Sequence, residues 1–298
     1  MPEFSIVLPT HNRVELLRRA VNSVLKQGFT DFNLIIVDDG STDDTAPYLS
    51  SLADPRIQII PHETPRGASA ARNAGIRAAT GEWVAFLDDD DEYLPNFLDR
   101  HHALLAQHPE TGWSWSGIRR HFWQEAGIAK QKAQVWTKAD IHKRYLTQLA
   151  ASYGVVVRRK YLEQIGGFDE AMSVAEDLDL LFRLEATGVR CEPVPEVLIN
   201  IHIHGGGSLS RDHDYRRFVE SYRTLVDKNK PLLENYPLLW RHYHDSLAGH
   251  LYRMGDYQAA RSLVWQMFCR APFRLAGLGK LFRFEFKRLK QSQQRGAE

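Results

Sequence analysis

The chain has 298 residues, 43% of them hydrophobic and 25% charged, and its 38 basic and 37 acidic residues almost cancel. This length suits one large or two modest globular domains, and the balanced charge gives no reason to expect nucleic acid as a partner. The two cysteines, Cys191 and Cys269, exclude a disulfide framework, fit a reducing compartment and are expected in the core.

Strand and helix patterns alternate over the first hundred residues. Short apolar runs predict strands at 4–8, 33–37, 57–60 and 82–87, and apolar residues at helical spacing predict helices at 13–26 and 68–79. This alternation is typical of βαβ units and predicts an α/β fold with a mostly parallel sheet. Ligands of such sheets bind beyond the carboxyl ends of the strands, which predicts that residues 9–13, 38–41 and 88–91 share one rim.

Four consecutive aspartates follow the last of these strands, at Asp88, Asp89, Asp90 and Asp91. Neighbouring carboxylates repel one another by about 1 kcal/mol per close pair in water and by about 4 kcal/mol at an intermediate effective dielectric. A divalent cation would offset this repulsion, because Mg²⁺ and Mn²⁺ prefer oxygen ligands. The cluster therefore predicts a site for Mn²⁺ or Mg²⁺, and a solvated acidic loop is the alternative.

The middle of the chain is less regular. Residues 113–136 hold four of the seven tryptophans, and part of this region is expected in the core. We predict a strand at 153–157, a turn at 166–170, a helix at 175–186 and a pair of short strands within 191–204. His101 and His102 are expected at the surface.

The chain from about residue 211 to its end has helical patterns. Residues 244–269 form two amphipathic stretches around Gly255, similar to one helix pair of a repeat protein, and one such pair cannot form a solenoid. Residues 275–290 form an amphipathic pattern, with an apolar stripe on one face of the predicted helix and four basic side chains on the other. This pattern predicts either a membrane-surface helix or a helix packed on the rest of the protein.

Several motif classes are absent. The turn after the first strand has no glycine, so the dinucleotide fingerprint is missing, and there is no Walker A sequence. An EF-hand loop starting at Asp88 would need glycine at Tyr93 and glutamate at Asp99. These absences exclude the commonest nucleotide-binding loops and a calcium loop of that type.

Six fragments in order resemble family 2 of the glycosyltransferases, which implies a GT-A fold. Their sequences are IVLPTHNR (6–13), IVDDGSTD (36–43), GASAARN (67–73), FLDDDD (86–91), GGFD (166–169) and EDLD (176–179). The resemblance covers residues 4–210 and implies a catalytic domain at 1–210, with a nucleotide-binding half at 1–110 and an acceptor half at 111–210. A helical extension would follow at 211–298.

The resemblance also implies which residues bind a nucleotide-diphosphate sugar, with a UDP-sugar favoured. Asp39 would accept a hydrogen bond from the base, Arg72 would supply a fixed cation near the nucleotide, and Asp90 would be the main metal ligand. Asp88 or Asp89 would bind the metal through water or hold the ribose, so Asp88 also counts among the metal ligands. The first rim segment would border the base and ribose through Pro9, Thr10, His11 and Arg13, with Arg13 equally suited to flank the first helix.

The acceptor side needs a general base, and the family's Glu-Asp motif implies that Asp177 is this base. Glu176 would bind the acceptor or orient Asp177. A single base acting opposite the leaving group implies inversion at the anomeric carbon. The resemblance further places His204, ahead of a glycine-rich segment, at the metal or the diphosphate, and a structural histidine is the alternative.

The sequence thus predicts an inverting, metal-dependent glycosyltransferase that acts on a glycan or lipid-linked acceptor in surface-polysaccharide assembly. No segment reaches the about 20 apolar residues that span a bilayer, and the N-terminus lacks a signal-peptide pattern. We therefore expect a cytoplasmic protein, peripheral on the inner face of the membrane if 275–290 binds lipid. The alternatives are an inactive sugar-nucleotide-binding scaffold and a sugar-phosphate nucleotidyltransferase, which should carry a glycine-rich phosphate loop after the first strand.

Overall fold

The structure is a computed structural model that describes residues 1–124, 127–137, 154–203 and 214–270. The chain divides into two compact units, residues 1–208 and 209–298. His204 and the segment 275–290, for which the sequence predicts a ligand role and a surface helix, lie outside the described residues.

The first unit alternates strands and helices over its first hundred residues. Its strands are β1 (Phe4–Thr10), β2 (Phe32–Asp38), β3 (Ile57–Pro61), β4 (Trp83–Phe86), β5 (Glu92–Tyr93), β6 (Thr111–Gln124), β7 (Gly127–Gln134), β8 (Val155–Arg158) and β9 (Arg190–Ile203). Its helices are α1 (Val14–Leu25), α2 (Thr45–Ser50), α3 (Ala68–Ala78), α4 (Phe97–Gln107), α5 (Arg159–Ile165) and α6 (Glu176–Ala186).

One mixed sheet forms the centre of this unit, in the order β3-β2-β1-β4-β8-β6-β9-β5, with β7 paired to the far part of β6. The strands β3, β2, β1 and β4 are parallel, as the sequence predicts, and β8 is antiparallel to both β4 and β6. All seven residues of β1 are buried, as expected for a central parallel strand covered on both faces. Helix α3 packs tightly on β1, because a Cβ at Gly75 would collide with Val7.

The second half of the sheet differs from the sequence prediction in one element. A single 14-residue strand, β9, replaces the predicted pair of short strands. Its parallel pairing with β6 continues through several register shifts, from Thr111 opposite Arg190 to Phe122 opposite Ile203. One of these shifts lies between Val194 and Val197, so the strand continues past Pro195 instead of ending there.

Three of the four tryptophans in residues 113–136 belong to the core. Trp113, Trp115 and Trp136 are fully buried, and Trp123 is half-buried on β6. The prediction that His101 lies at the surface is wrong, because its ring is fully buried on α4 and bonds to Ser114 Oγ at 2.8 Å. Cys191 is buried as predicted, whereas Cys269 is exposed.

The second unit is helical throughout its described residues. Its helices are α7 (Tyr215–Lys228), α8 (Lys230–Asn235), α9 (Pro237–Met254) and α10 (Tyr257–Arg270). Helix α9 ends at Gly255 in the left-handed region (φ 95°), a common way to end a helix, so the helix pair predicted around this glycine is present. A core of Val219, Leu247, Leu251 and Ala260 joins α7, α9 and α10. None of the helices in the described ranges is both long and apolar enough to cross a membrane.

Candidate active site

The candidate site is built on the loops that leave the carboxyl ends of β1, β2 and β4. Thr10 and Asp38 are register partners at the ends of β1 and β2, and the Asp39 amide donates to the Thr10 carbonyl at 2.9 Å. The loop after β4 reaches the same rim, since Thr10 Oγ1 donates to Asp89 Oδ2 at 2.8 Å. The structure therefore brings the three predicted rim segments together, as parallel topology requires.

Asp39 is held by three hydrogen-bond donors. Its Oδ1 accepts from His62 Nδ1 at 2.7 Å and from the Arg66 amide at 2.9 Å, and its Oδ2 accepts from the Gly67 amide at 2.7 Å. Burial raises the pKa of Asp39, but these hydrogen bonds outweigh it and hold the pKa below its usual range. The carboxylate is fixed as an anion, and Oδ2 accepts one of these bonds whereas Oδ1 accepts two, so Oδ2 is the oxygen suited to accept a further hydrogen bond.

His11 lies beside Asp39. Its Nδ1 donates to the Asp39 carbonyl at 2.8 Å, and its Nε2 accepts from the amide of Asn12 at 3.1 Å. Because a carbonyl can only accept, the proton of the neutral ring is on Nδ1. The ring is exposed, so one face is available for stacking.

Arg13 lies over the aspartate run. Its Nη1 is 3.2 Å from Asp89 Oδ1 and 3.3 Å from Asp90 Oδ2. Burial lowers the pKa of Arg13, and the carboxylates of Asp89 and Asp90 outweigh this and raise it. Arg13 is therefore a counter-charge of the acidic cluster, in addition to preceding α1.

Asp88, Asp90 and Asp91 each offer one carboxylate oxygen, and these oxygens lie within 4.8 Å of one another. Burial and the charge of Asp88 raise the pKa of Asp90, and burial with the charges of Asp90 and Asp88 raises the pKa of Asp91 well above its usual range. Asp89 is 5% exposed, and burial raises its pKa to about 6 despite Arg13. The neighbouring arginines thus leave the cluster short of positive charge.

Arg72, on α3, joins this cluster to the acceptor-side motif. Its guanidinium is 2.7 Å from Asp88 Oδ1 through Nη2 and 3.1 Å from Glu176 Oε1 through Nη1. Burial lowers the pKa of Arg72, and the carboxylates of Asp88, Asp177 and Glu176 outweigh this and raise it. Asp177 follows Glu176 in the first turn of α6, where the helix dipole favours a carboxylate in its charged form.

Backbone strain is found next to two of the motifs. Within the described ranges, the non-glycine residues with positive φ are Asn12 (53°) and Ala175 (62°). Asn12 directly follows His11, and Ala175 immediately precedes Glu176. Such conformations cost of order 1 kcal/mol or more and are concentrated at functional sites.

Sequence reasoning missed three contributors to this region. His62 follows β3, the one parallel strand whose carboxyl end was left out of the predicted rim, and extending the rim rule to β3 would have found it. Asp91 was not assigned a role, although it completes the group of three carboxylates. His202 donates through its backbone amide to Asp91 Oδ1 at 2.9 Å and pairs with Glu92 at 2.7 Å through its ring, and no sequence signal indicated either contact.

Residues 5–166 match the family model described as "Glycosyl transferase family 2". The chain belongs to this family. It is 46% identical over 245 residues to the putative colanic acid biosynthesis glycosyl transferase WcaA of Escherichia coli, covering 80% of this chain and 86% of the relative. It is also 33% identical over 281 residues to the succinoglycan biosynthesis protein ExoO of Rhizobium meliloti, covering 89% and 76%.

Solved structures with the same fold include TarS of S. aureus and the mannosyltransferase PcManGT of Pyrobaculum calidifontis. Residues 1–349 of TarS in complex with UDP-GlcNAc match with a TM-score of 0.65 at 21% identity, covering 95% of this chain and 81% of TarS. PcManGT in complex with GDP-Man and Mn²⁺ matches with a TM-score of 0.59 at 17% identity, covering 96% and 84%. The α/β unit therefore has the GT-A fold, and its family makes the protein a glycosyltransferase.

Proposed function

We propose that this glycosyltransferase moves a sugar from a nucleotide-diphosphate donor, with a UDP-sugar favoured, to a hydroxyl of a glycan or lipid-linked acceptor. The observation that carries the proposal is the joining of two motifs by one guanidinium. Arg72 contacts both Asp88 of the acidic cluster and Glu176 beside Asp177. A donor-side cluster and an acceptor-side carboxylate pair within reach of one side chain suit a transfer between two substrates.

The acidic cluster suits Mn²⁺ or Mg²⁺. Three carboxylate oxygens within 4.8 Å form the hard, oxygen-only set that these cations prefer, and the raised pKa values of Asp90 and Asp91 indicate that more positive charge would stabilise the anions. Asp90, Asp88 and Asp91 would hold the cation, and Asp89 is held by Thr10 and Arg13. When bound, the cation neutralises the developing charge of the leaving diphosphate.

The nucleotide would lie along the ends of β1 and β2. Asp39, fixed as an anion, would accept from a ring N–H of the base, which suits uracil, thymine and guanine. His11 would stack on the base, and Pro9, Thr10 and Arg13 would border the ribose and phosphates. The structural neighbours in complex with UDP, UDP-GlcNAc and GDP-Man, and a relative named for UDP-Glc, support such a donor.

Asp177 would remove the proton from the acceptor hydroxyl. It lies in the first turn of α6, where the helix dipole stabilises its anionic form, and Glu176 is fixed by Arg72. The deprotonated hydroxyl attacks the anomeric carbon opposite the diphosphate, which inverts that centre. An α-linked donor would then give a β-glycoside.

A lipid-linked acceptor and contact with an anionic membrane surface complete the proposal. Relatives at 33% and 41% identity are named as β-1,3-glucosyltransferases of diphosphoundecaprenol-linked glycans, over 35% and 38% of this chain. Residues 257–298 hold nine basic and two acidic side chains, and Trp265 on α10 is 56% exposed. An exposed tryptophan in a stretch of sequence rich in basic residues suits the interface of an anionic bilayer, on the cytoplasmic face of the membrane.

A panel of UDP-, GDP-, dTDP- and CMP-sugars tests the donor site. Thermal unfolding of the wild type should shift upward with one class of nucleotide in Mn²⁺ and not in EDTA, and Asp90→Asn should abolish the shift. Asp54→Asn is the matched control, because Asp54 pairs with Arg56 at 2.8 Å in the loop before β3, away from the cluster. Equal shifts in EDTA would reject the metal site, and no shift with any donor would favour the inactive scaffold.

Transfer is tested with the donor that the panel selects. Synthetic lipid-diphosphate glycans serve as acceptors, and the anomeric coupling constant of the product is read by NMR. A β-product from an α-linked donor is expected. An α-product would reject inversion and with it the role proposed for Asp177, whereas formation of a nucleotide-sugar from a sugar phosphate would favour the nucleotidyltransferase.

A further inference from the structure

Arg72 is a buried guanidinium shared between two segments that are far apart in sequence. It is 4% exposed, and its two terminal nitrogens contact Asp88, 16 residues away, and Glu176, 104 residues away. The positive charge of one guanidinium therefore neutralises carboxylates on both sides of the proposed reaction centre. The family resemblance assigned Arg72 only to the nucleotide.

The segment that leads into α6 is anchored on the same part of α3. Asn73 Nδ2 donates to the Phe168 carbonyl at 2.9 Å, and Asn73 Oδ1 accepts from the Phe168 amide at 2.8 Å. The ring of Phe168 lies 5.3 Å from the Arg72 guanidinium carbon and packs edge-on against Phe86 of β4. In addition to these Phe168 bonds, the ion pair between Arg72 and Glu176 ties the first turn of α6 directly to α3.

We propose that Arg72 is a positioning residue that couples cation binding at the acidic cluster to the first turn of α6. This inference rests on the metal site of the proposed function. A cation bound at Asp88 attracts the same carboxylate as Arg72 does, so it weakens the hold of Asp88 on the guanidinium. Arg72 then interacts more strongly with Glu176 and fixes the turn that carries Asp177, so the acceptor base is set in place once the donor-side cation is bound.

The alternative is a static clamp that holds α6 equally with or without the cation. The two differ in one observable, because coupling between two sites requires that binding at one change the other. A static clamp gives α6 the same protection in both states. Coupling makes α6 more protected when the cation is present.

Hydrogen exchange of the full chain, followed by mass spectrometry on peptides that cover residues 168–182, measures this difference. Mn²⁺ alone is the probe, at a concentration that saturates binding as titrated by electron paramagnetic resonance. In the wild type we expect Mn²⁺ to slow exchange at the start of α6 by about fivefold or more, the lower end of typical coupling between sites. Arg72→Gln should reduce this response to less than about twofold.

Two further variants separate coupling from general electrostatics and from misfolding. Arg13→Gln removes another arginine of the cluster, so it should also change Mn²⁺ affinity, but it should keep the α6 response because the ion pairs of Arg13 are with Asp89 and Asp90. Arg72→Lys keeps the charge, but a single ammonium group cannot reproduce the geometry in which the two terminal nitrogens of a guanidinium contact Asp88 and Glu176. It should fold like the wild type by circular dichroism and lose most of the response.

Each remaining outcome overturns a defined statement. A wild type that binds Mn²⁺ with no change in α6 exchange, or Arg72 variants that keep the full response, would overturn the coupling and leave the metal site intact. Loss of the response in Arg13→Gln as well would show that the response depends only on the total charge of the cluster, which would also overturn the coupling. A wild type that binds no Mn²⁺ would overturn the metal site and the coupling together.

Discussion

The hydrogen bonds around Asp39 make Asp39→Asn a sharp test of the nucleotide end of the site. An asparagine has one acceptor oxygen and one amide group in place of two acceptor oxygens. If its oxygen accepts from His62 and Arg66, its amide faces the Gly67 N–H, and two donors then oppose each other. The exposed Gly67 amide then loses its bond to the buried Asp39 carboxylate.

The expected cost follows from these contacts. Hydrogen bonds to a charged group are worth about 1.5–3 kcal/mol against about 1 kcal/mol for neutral ones, and one of the three bonds is lost altogether. Because water can reach the exposed Gly67 amide, the free energy of unfolding should fall by about 1–3 kcal/mol. Asp38→Asn is the matched control, because Asp38 accepts from the Ser41 amide at 3.0 Å and an asparagine oxygen can accept the same bond. It should cost less than about 1 kcal/mol.

Urea unfolding of both variants at several pH values measures this difference. The pKa of Asp39 lies below its usual range, so its contribution to stability is present above the ordinary carboxyl pKa and is lost as the pH falls through the folded-state value. The stability gap between the wild type and Asp39→Asn should hold from about pH 5 to 8 and narrow below about pH 4. Equal costs for the two variants, or a gap that does not narrow in acid, would refute the reasoning.

Three other predictions concern the base, a buried histidine and the second unit. Asp177→Asn should lower kcat by about 10²–10⁴-fold and leave donor binding unchanged. The control Asp179→Asn should instead lower stability in urea, because Asp179 is fully buried and pairs with Arg183 at 2.7 Å. Equal losses of kcat in the two variants would contradict this. Burial lowers the pKa of His101 to about 3, so between about pH 6.5 and pH 3 the unfolded state binds a proton at this histidine and the folded state does not. Between pH 7 and pH 5 the free energy of unfolding should therefore fall by about 2 kcal/mol more in the wild type than in His101→Gln. Parallel pH profiles for the two proteins would contradict this. Trp265→Ser should reduce co-sedimentation with anionic phosphatidylglycerol vesicles severalfold, while Leu238→Ser, which changes a residue 43% exposed on α9, should not; equal binding to neutral vesicles would refute an electrostatic contribution.

Local patterns predicted the parts of the fold that depend on neighbouring residues. Apolar runs and helical spacing indicated β1 to β4, α1 and α3, because burial on both faces of a parallel strand leaves a continuous apolar sequence. The rule for carboxyl ends of parallel strands then predicted that Thr10, Asp38 and the aspartate run would meet. The two amphipathic stretches around Gly255 indicated the break between α9 and α10, where the structure has this glycine in a left-handed conformation.

The sequence alone could not predict contacts between distant segments. The burial of His101 beside Ser114, and of Trp113 and Trp115, depends on how α4 and β6 pack, and no local pattern encodes that packing. The continuity of β9 depends on its pairing with β6, in which a register shift accommodates Pro195. These features appear only once the strands are in place.

The sequence by itself determined the family, the parallel half of the sheet and the motif residues, because motif order and hydrophobic periodicity are properties of neighbouring positions. The tertiary structure alone decided which charges meet. It paired Asp39 with His62, Arg13 with Asp89 and Asp90, and Arg72 with both Asp88 and Glu176. Electrostatic interaction depends on distance in space and on burial, and only the folded sheet brings residues 72, 88 and 176 within hydrogen-bonding distance.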